Sequence, residues 1–325
     1  MAEFIGRRTS LGVARETTRG TGVAPTYWMP RTELSFDDRI ERVVSGEAMG
    51  HIDDSSDAFV TAKYADGSIN AEVRDDSFGL FLYALLGTVS TAALGSGDFT
   101  HTFTEANSNQ HQSLTLTTDS ANGDKMFELC MLNNLGITAE TGEIVKFNSD
   151  FVSKNSVTTT QSATTCNTEN RFVSHHVAIK LATDYSGLDA ATAIPVKRFE
   201  LTFAKNVMRD HELGTISPTE IHNQQFNVEG SFDLNFEDFT YHGYMMNNTY
   251  KAIRLEATNT DVTLAGGNNP KLQIDLSRAS FYDWERDNSL DDISLQTVNF
   301  QGHRDCTNSK NIVNQIQLTN EVASY

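Results

Sequence analysis

The most constraining feature of this sequence is a strand-to-helix unit that occurs twice, about half a chain apart. In the first copy, apolar and polar residues alternate over Ile69–Val73, which is typical of a half-buried strand. An apolar segment that ends at Gly87 follows and predicts a short helix. The second copy begins at Gly230, which lies 163 residues after Gly67 in a chain of 325. This spacing predicts a duplicated domain.

Aspartates stand where each of the two predicted helices begins. Asp75 or Asp76 is expected to cap the first helix, and Asp238 the second, because a carboxylate there can accept a hydrogen bond from a free backbone N–H group. Asp75 and Asp76 could also form an acid–base pair, but their position before an apolar helix favours capping. Just before the first unit, Ala65–Gly67 predicts a hairpin turn.

The order of the other segments is also the same in both halves. Each half begins with a strand and a long polar connection, continues through the strand-to-helix unit and ends with further strands. The terminal and central stretches have too little apolar content to fold alone, which predicts arms and a linker. The predicted divisions are an N-terminal arm at 1–30, a first domain at 31–155 with its polar loop at 37–57, a linker or extension at 156–194, a second domain at 195–306 with its polar loop at 204–222, and a C-terminal arm at 307–325.

The composition restricts the classes of function. A net charge of −18 argues against a protein that reads DNA, which normally presents a basic face, whereas an acidic surface would let DNA pass without sticking. The simpler interpretation is that the acidity keeps the protein soluble. Cys130, Cys166 and Cys306 are widely spaced and odd in number, as expected in a reducing compartment. Neither a membrane-spanning run nor a secretory signal is recognisable in the sequence.

The sequence contains no recognisable pattern for catalysis or for binding a metal. It has no phosphate-binding loop, nucleophile elbow or zinc helix. His175 and His176 are expected to be ordinary strand residues, since neighbours on a strand point to opposite faces. The acidic run Asp53–Asp57 lacks the glycine and distal glutamate of a calcium loop and is expected to be solvated. We therefore predict no catalytic, cofactor-binding or metal-binding residues.

Parts of the first half resemble the major tail tube protein family of long-tailed (siphovirus-type) bacteriophages. The similar stretches are Gly12–Pro25, Gly67–Gly87, Phe99–Thr104 and Gln112–Thr117. The resemblance is clearest over residues 10–155, and the second half shares the order and the alternation of its segments.

The resemblance implies a mainly β fold with two tandem β-sandwich or half-barrel tail-tube domains. Each domain has one short flanking α-helix, and the domains join across subunits into a continuous inner β-barrel. Six domains close a ring, and stacked rings form a hollow tube through which the genome leaves the capsid. With two domains per chain, a trimer with pseudo-hexameric symmetry is the favoured ring, and a hexamer is the alternative.

The resemblance also implies partners and a location. Besides other copies of the chain, the partners are a tape measure protein and the tail terminator and distal tail proteins, with transient, non-specific passage of double-stranded DNA. The protein would be made in the host cytoplasm, reside in the tail of the virion and not insert into a membrane. No cofactor is implied.

Two sets of residues acquire roles under this resemblance. The polar faces of the two long strands are expected to line the lumen through Asn70, Glu72, Arg74, Ser231, Asp233, Asn235 and Glu237. The polar loop at 37–57 is expected to contact the next ring through Asp37, Asp38, Arg39, Glu41, Arg42, Glu47, Asp53, Asp54 and Asp57.

Two other classes of function remain as alternatives. One is a different virion or surface protein of β structure, such as a decoration protein or an adhesin, although an adhesin would be expected to carry a secretion signal. The other is a glycan hydrolase that uses two carboxylates in a cleft, which the scarcity of clustered aromatic residues disfavours.

Overall fold

The computed structural model describes residues 5–48, 50–160, 164–165, 167–290 and 292–325. The first half contains β1 (Ser10–Arg15), β2 (Tyr27–Met29), β3 (Glu33–Ser45), β4 (Asp57–Glu72), α1 (Phe78–Leu86), β5 (Gly87–Gly95), β6 (Asp98–Glu105), β7 (Leu114–Asp119), β8 (Asp124–Glu140), β9 (Lys146–Ser153) and β10 (Val157–Thr159). The second half contains β11 (Val177–Ala182), β12 (Ala193–Ile194), β13 (Val196–Ala204), β14 (Met208–Asp210), β15 (Glu220–His222), β16 (Asn227–Asn235), α2 (Thr240–Met246), β17 (Lys251–Thr258), β18 (Lys271–Asp287), β19 (Leu295–Gly302) and β20 (Val313–Asn320). The expected mainly β fold is confirmed.

Eight antiparallel strands form what we call the main sheet, in the order β3–β4–β9–β8–β13–β16–β19–β18. The first four strands come from the first half of the chain and the last four from the second half. The pairing of β8 with β13 joins the two halves through backbone hydrogen bonds. One continuous curved surface therefore runs across both halves.

The two groups of four strands in the main sheet correspond residue by residue. Gly67 of β4 lies opposite Phe151 of β9, and Gly230 of β16 lies opposite Phe300 of β19. The pairing also shifts by one residue at the same place, after Leu132 in β8 and after Phe281 in β18. Such a bulge bends a strand and increases its twist.

The bends in β8 and β18 let each strand belong to two layers. The first part of β8 pairs with β7 and β10, and the first part of β18 pairs with β17 and β20. In the same outer layer, β7 pairs with β1, β17 pairs with β11, and β20 also pairs with β6. The last strand of the chain therefore completes a layer that includes strands of the first half.

Behind the main sheet, α1 is buried in the hydrophobic core, and α2 packs against the core with its side chains only partly buried. The ring of Phe81 in α1 packs against Phe147 and Phe151 of β9, with ring centroids 5.0 and 5.7 Å apart. In the second half, Tyr241 of α2 packs against Phe232 of β16 at 5.5 Å. No helix of the described chain is both long and apolar enough to cross a membrane.

A close backbone approach explains why Ala65–Gly67 is not a hairpin turn. These residues lie inside the long strand β4. Gly67 has φ 150°, and a Cβ atom there would lie 1.8 Å from the carbonyl oxygen of Ser35 on β3. A glycine is needed at position 67 because the backbones of β3 and β4 come close together there. The predicted turn is wrong because these residues continue the strand.

Several stretches predicted to lack regular structure form strands. Residues 37–45 of the predicted polar loop belong to β3, and the connection to β4 spans only residues 46–56. The predicted N-terminal arm contains β1 and β2, the linker contains β10, β11 and β12, and the loop at 204–222 contains β14 and β15. The predicted C-terminal arm contains β20. Some of these strands pair with strands far away in the sequence, as β1 does with β7, β11 with β17 and β20 with β6, and local composition does not reveal such contacts. By contrast, β14 and β15 pair with each other within the loop at 204–222.

Two of the predicted helix ends are correct, and the predicted cap at the start of α1 is wrong. Asp238 accepts a hydrogen bond from the backbone N–H of Thr240 at 2.8 Å, and Gly87 ends α1 in the left-handed conformation with φ 86°. At the start of α1, however, neither aspartate caps the helix. Glu169 accepts the backbone N–H and hydroxyl bonds of Ser77, at 2.9 and 2.6 Å.

Candidate functional site: a polar sheet face and a projecting hairpin

The face of the main sheet that points away from the core is polar in all eight strands. Its carboxylates are Glu33, Asp37, Asp66, Glu72, Glu140, Asp150, Glu200, Glu229, Asp233, Asp283, Glu285 and Asp287, and its basic residues are Arg39, Lys146 and Arg198. Carboxylates clearly outnumber the cations. The result is a broad acidic surface that spans the joint between the two halves.

Four of the residues expected to line a lumen lie on this polar face. Asn70 donates to the carboxylate of Glu33 at 2.9 Å, and Asp233 accepts from the hydroxyl of Thr297 at 2.7 Å. Glu72 and Ser231 occupy the same face of β4 and β16. The structure thus brings residues from both halves onto one surface.

The other three residues of that prediction have different surroundings. Arg74 lies beyond the end of β4, is only 8% exposed and donates to Glu72 at 3.1 Å. The Oδ1 atom of Asn235 is buried without a hydrogen-bond partner. Glu237 is exposed but follows the end of β16. Asn235, the last residue of β16, still lies on the same side of the sheet as Asp233, whereas Arg74 and Glu237 lie beyond the strand ends, where alternation no longer applies.

The ends of β3 and β4 form a hairpin that projects from the main sheet. Charged residues predicted to contact the next ring lie along it: Asp37, Asp38, Arg39, Glu41 and Arg42 on β3, Glu47, Asp53 and Asp54 in the connection, and Asp57 at the start of β4. Beyond Arg39 nearly every residue of β3 is exposed. The prediction of a loop is therefore wrong for residues 37–45 and correct for the described residues of 46–56, while its role in stacking stays a prediction.

The hairpin also exposes apolar side chains, which sequence reasoning missed. Ile40, Val43 and Phe59 are 57%, 58% and 60% exposed, and Val44 and Val60 are also exposed. Val43 lies directly opposite Phe59. The signal was present in the β-branched and aromatic residues of the two segments, which favour strands. Exposed apolar residues on a free hairpin are typical of a protein–protein contact.

Ion pairs fix the base of the hairpin. Arg39 pairs with Asp66 at 2.9 Å, and Lys125 lies 2.8 Å from Asp37. The hydrogen bond from Lys125 holds the pKa of Asp37 below its ordinary value. The guanidinium of Arg209 stacks over the ring of Tyr64 at 3.5 Å. These contacts orient the hairpin while leaving its tip free.

The structure brings two neighbouring histidines to one carboxylate. His175 and His176 lie in a short 3₁₀ turn rather than a strand, and their Nε2 atoms are 3.3 and 3.2 Å from Oδ2 of Asp261. The expectation that they point to opposite faces is wrong, because a turn does not alternate its side chains as a strand does.

Hydrogen bonding shows that this cluster is unsuited to a metal ion. The backbone N–H of Val173 donates to Nδ1 of His176 at 3.2 Å, so in neutral His176 the proton is on Nε2. Nε2 then donates to Asp261 and has no free lone pair for a metal. We interpret the cluster as a structural contact that ties the turn to the segment after β17.

A comparison with protein-family models gives a match over nearly the whole chain. The model described as "phage tail tube protein" matches residues 6–302. No curated protein matches the sequence. The matched region includes the main sheet, the projecting hairpin and both helices.

Proposed function

The chain belongs to the phage tail tube protein family, and we propose that three copies of it close each ring of the tube. It is a structural, non-enzymatic protein of the virion tail that assembles with itself into a tube. The proposed ring is a trimer with pseudo-hexameric symmetry, because each chain contributes two tube domains. The first domain is the predicted 31–155 extended by β10, and the second is 195–306 extended by β11, β12 and β20.

The main sheet is the observation that carries this proposal. Its two groups of four strands share strand order, register and the position of the bulge. The β8–β13 pairing is then a domain–domain joint that happens to lie within one chain. Three copies supply six four-stranded units, which form a continuous inner β-barrel when the same joint recurs between chains.

The polar face of the main sheet is proposed to line the lumen. Its excess of carboxylates presents like charge to the phosphates of double-stranded DNA, so the genome slides without binding during ejection. The apolar face of the main sheet cannot line the lumen because α1, α2 and the outer layer cover it. The tube is that of a long-tailed phage, assembled from protein made in the host cytoplasm around a tape measure protein and bounded by terminator and distal tail proteins.

The projecting hairpin is proposed to hold successive rings together. Its exposed Ile40, Val43 and Phe59 would be buried against the adjacent ring, where each fully buried side chain contributes about 1.5–3 kcal/mol. The charged residues around them supply orientation more than affinity.

Negative-stain electron microscopy of the purified protein tests the proposal. We expect rings and tubes built from them. Native mass spectrometry should count three chains in each ring. Rings of six chains would contradict the trimer but keep the tube function. Isolated globules or unbranched solid fibres, under conditions that assemble other tail tubes, would contradict the assembly itself.

A further inference from the structure

Two edges of the main sheet have no strand partner among the described residues. β3 pairs on one side only, with β4, and the second part of β18 (280–287) pairs only with β19. Near the open side of β3, the backbone N–H of Asp38 donates to the carboxylate of the adjacent Asp37 at 2.9 Å. Free edges such as these are sites where another strand can add.

The joint between the two halves shows which strand fits such an edge. β8 corresponds to β18, and β13 corresponds to β3, by their positions in the two four-stranded groups. β8 and β13 pair antiparallel without a shift, from Asn134 opposite Ala204 to Glu140 opposite Arg198. Within one chain, the strand equivalent to β18 therefore already pairs with the strand equivalent to β3.

Equivalent residues of the two halves can be identified at both edges, between β3 and β13 and between β8 and β18. Gly67 lies opposite Phe36, and its counterpart Gly230 lies opposite Leu201, so Phe36 corresponds to Leu201. At the other edge, Asn134 and Asp283 are the first paired residues after the two bulges. The register of the internal joint can thus be carried over to the two free edges.

We propose that β18 of one copy pairs with β3 of the next copy in the register of the β8–β13 joint, an inference that rests on the proposed ring. This register places Arg39 directly opposite Asp283 and Ser35 opposite Asp287 on the polar face. On the face that points to the core, Phe36 lies opposite Arg286, and Asp38 lies opposite Trp284.

The charges of the two edges fit this register. Arg39 faces Asp283, and its guanidinium has enough donors to keep the ion pair with Asp66 at the same time. The register also sets Asp37 opposite Glu285, but the ammonium group of Lys125 lies 2.8 Å from Asp37 and offsets that repulsion. Charged side chains along both edges disfavour pairing with unrelated strands, so the second copy is the partner that fits.

Cysteine cross-linking tests the register in a parent protein in which Cys166 and Cys306 are replaced by serine. Directly opposite residues of an antiparallel pair have Cα atoms about 4.5–5.5 Å apart, within reach of a disulfide. A residue two positions further along is about 7–8 Å away. Assembled R39C/D283C should therefore form at least fivefold more disulfide between copies than the offset variant R39C/E285C or either single variant.

The outcomes separate this inference from the proposed function. Closed covalent trimers of R39C/D283C in assembled tubes support the joint. Normal tubes in which R39C/E285C cross-links better, or in which neither pair cross-links, overturn the register while leaving the tube function intact. A parent protein that forms no rings contradicts the proposed ring and the joint together.

A charge exchange gives an independent readout. R39D and D283R should each reduce ring formation, and the R39D/D283R double variant should recover at least half of it, because the pair is restored with reversed charge. Failure of the double variant to recover, when both single variants remain folded by circular dichroism, counts against direct opposition of Arg39 and Asp283.

Discussion

The ammonium nitrogen of Lys205 lies 2.7 Å from the carbonyl oxygen of Ala84, across the boundary between the two halves of the chain. Lys205 follows β13, and Ala84 lies in the last turn of α1, so the second half donates to a helix carbonyl that otherwise lacks a partner. Burial, with a smaller contribution from the charge of Arg19, lowers the pKa of Lys205 to about 7. The contact links the two halves through a buried hydrogen bond just beyond the end of β13.

The shifted pKa of Lys205 predicts how stability depends on pH. Between pH 7 and 10.5 the unfolded chain binds more protons than the folded one, so the free energy of unfolding should rise with pH. Lys205→Met should lose this rise, as measured by urea unfolding of unassembled protein at pH 7.5 and 9.5. It should also leave the Ala84 carbonyl without a donor, at a cost of about 1–3 kcal/mol. Lys197→Met, at an exposed lysine, is the matched control, and an unchanged rise in Lys205→Met would refute the prediction.

Asp76 predicts the opposite trend at lower pH. Burial, reinforced by the charges of Asp75 and Glu169, raises the pKa of Asp76 from 3.8 to about 7. Across that window the folded protein retains a proton that the unfolded chain releases, so the free energy of unfolding falls as the pH rises. Asp76→Asn should therefore raise the urea midpoint at pH 8 and change it little near pH 4. The exposed Asp53→Asn should have no such effect, and equal gains at both pH values would rule out titration as the cause.

The exposed apolar pair on the hairpin predicts a separation of ring formation from ring stacking. Val43→Ser/Phe59→Ser removes two side chains that contribute about 1.5–3 kcal/mol each when fully buried. The variant should form rings, but tube growth measured by light scattering should need more than ten times the protein concentration. Leu213→Ser, at an exposed apolar residue between β14 and β15, should assemble normally. Tubes of normal length at the normal concentration would exclude the hairpin as the stacking contact.

The acidic face predicts how assembled tubes interact with DNA. Glu229→Lys places a cation on the polar face of β16 in every copy, so tubes should retain short double-stranded DNA in sedimentation assays, more weakly as salt increases. Glu212→Lys makes the same charge change on an exposed connection outside the main sheet. If both variants retain DNA equally, or neither does, the polar face is not the surface that meets the genome.

Local patterns predicted the fold where one face of a strand is buried. The alternation over Ile69–Val73 gives the correct core face of β4, because the burial of that strand alternates in the same way. The segment Ile40–Val44 belongs to a hairpin exposed on both faces, so it shows no alternation and its charged neighbours suggested a loop. The shared order of segments in the two halves could also be predicted, and the structure places Phe151 and Phe300 at equivalent positions opposite Gly67 and Gly230.

Contacts between distant parts of the chain could not be predicted in this way. The residue that binds the start of α1 is Glu169, which is 92 positions from Ser77 and lies in a stretch interpreted as linker. The same holds for His175 and His176, whose shared partner Asp261 follows β17. Nothing in the local sequence of either segment specifies these partners, since they are set by the packing of the two halves.

The pairing of β6 with β20 has a consequence for how the chain folds. His101 in β6 contacts Asn320 at the end of β20, a separation of 219 positions, at 3.0 Å in the interior. The outer layer of the first half therefore cannot close until β20 has been synthesised. Loop closure on this scale slows folding. Until β20 is in place, β6 can pair only with its neighbour β5, so one edge of this hairpin stays open during synthesis.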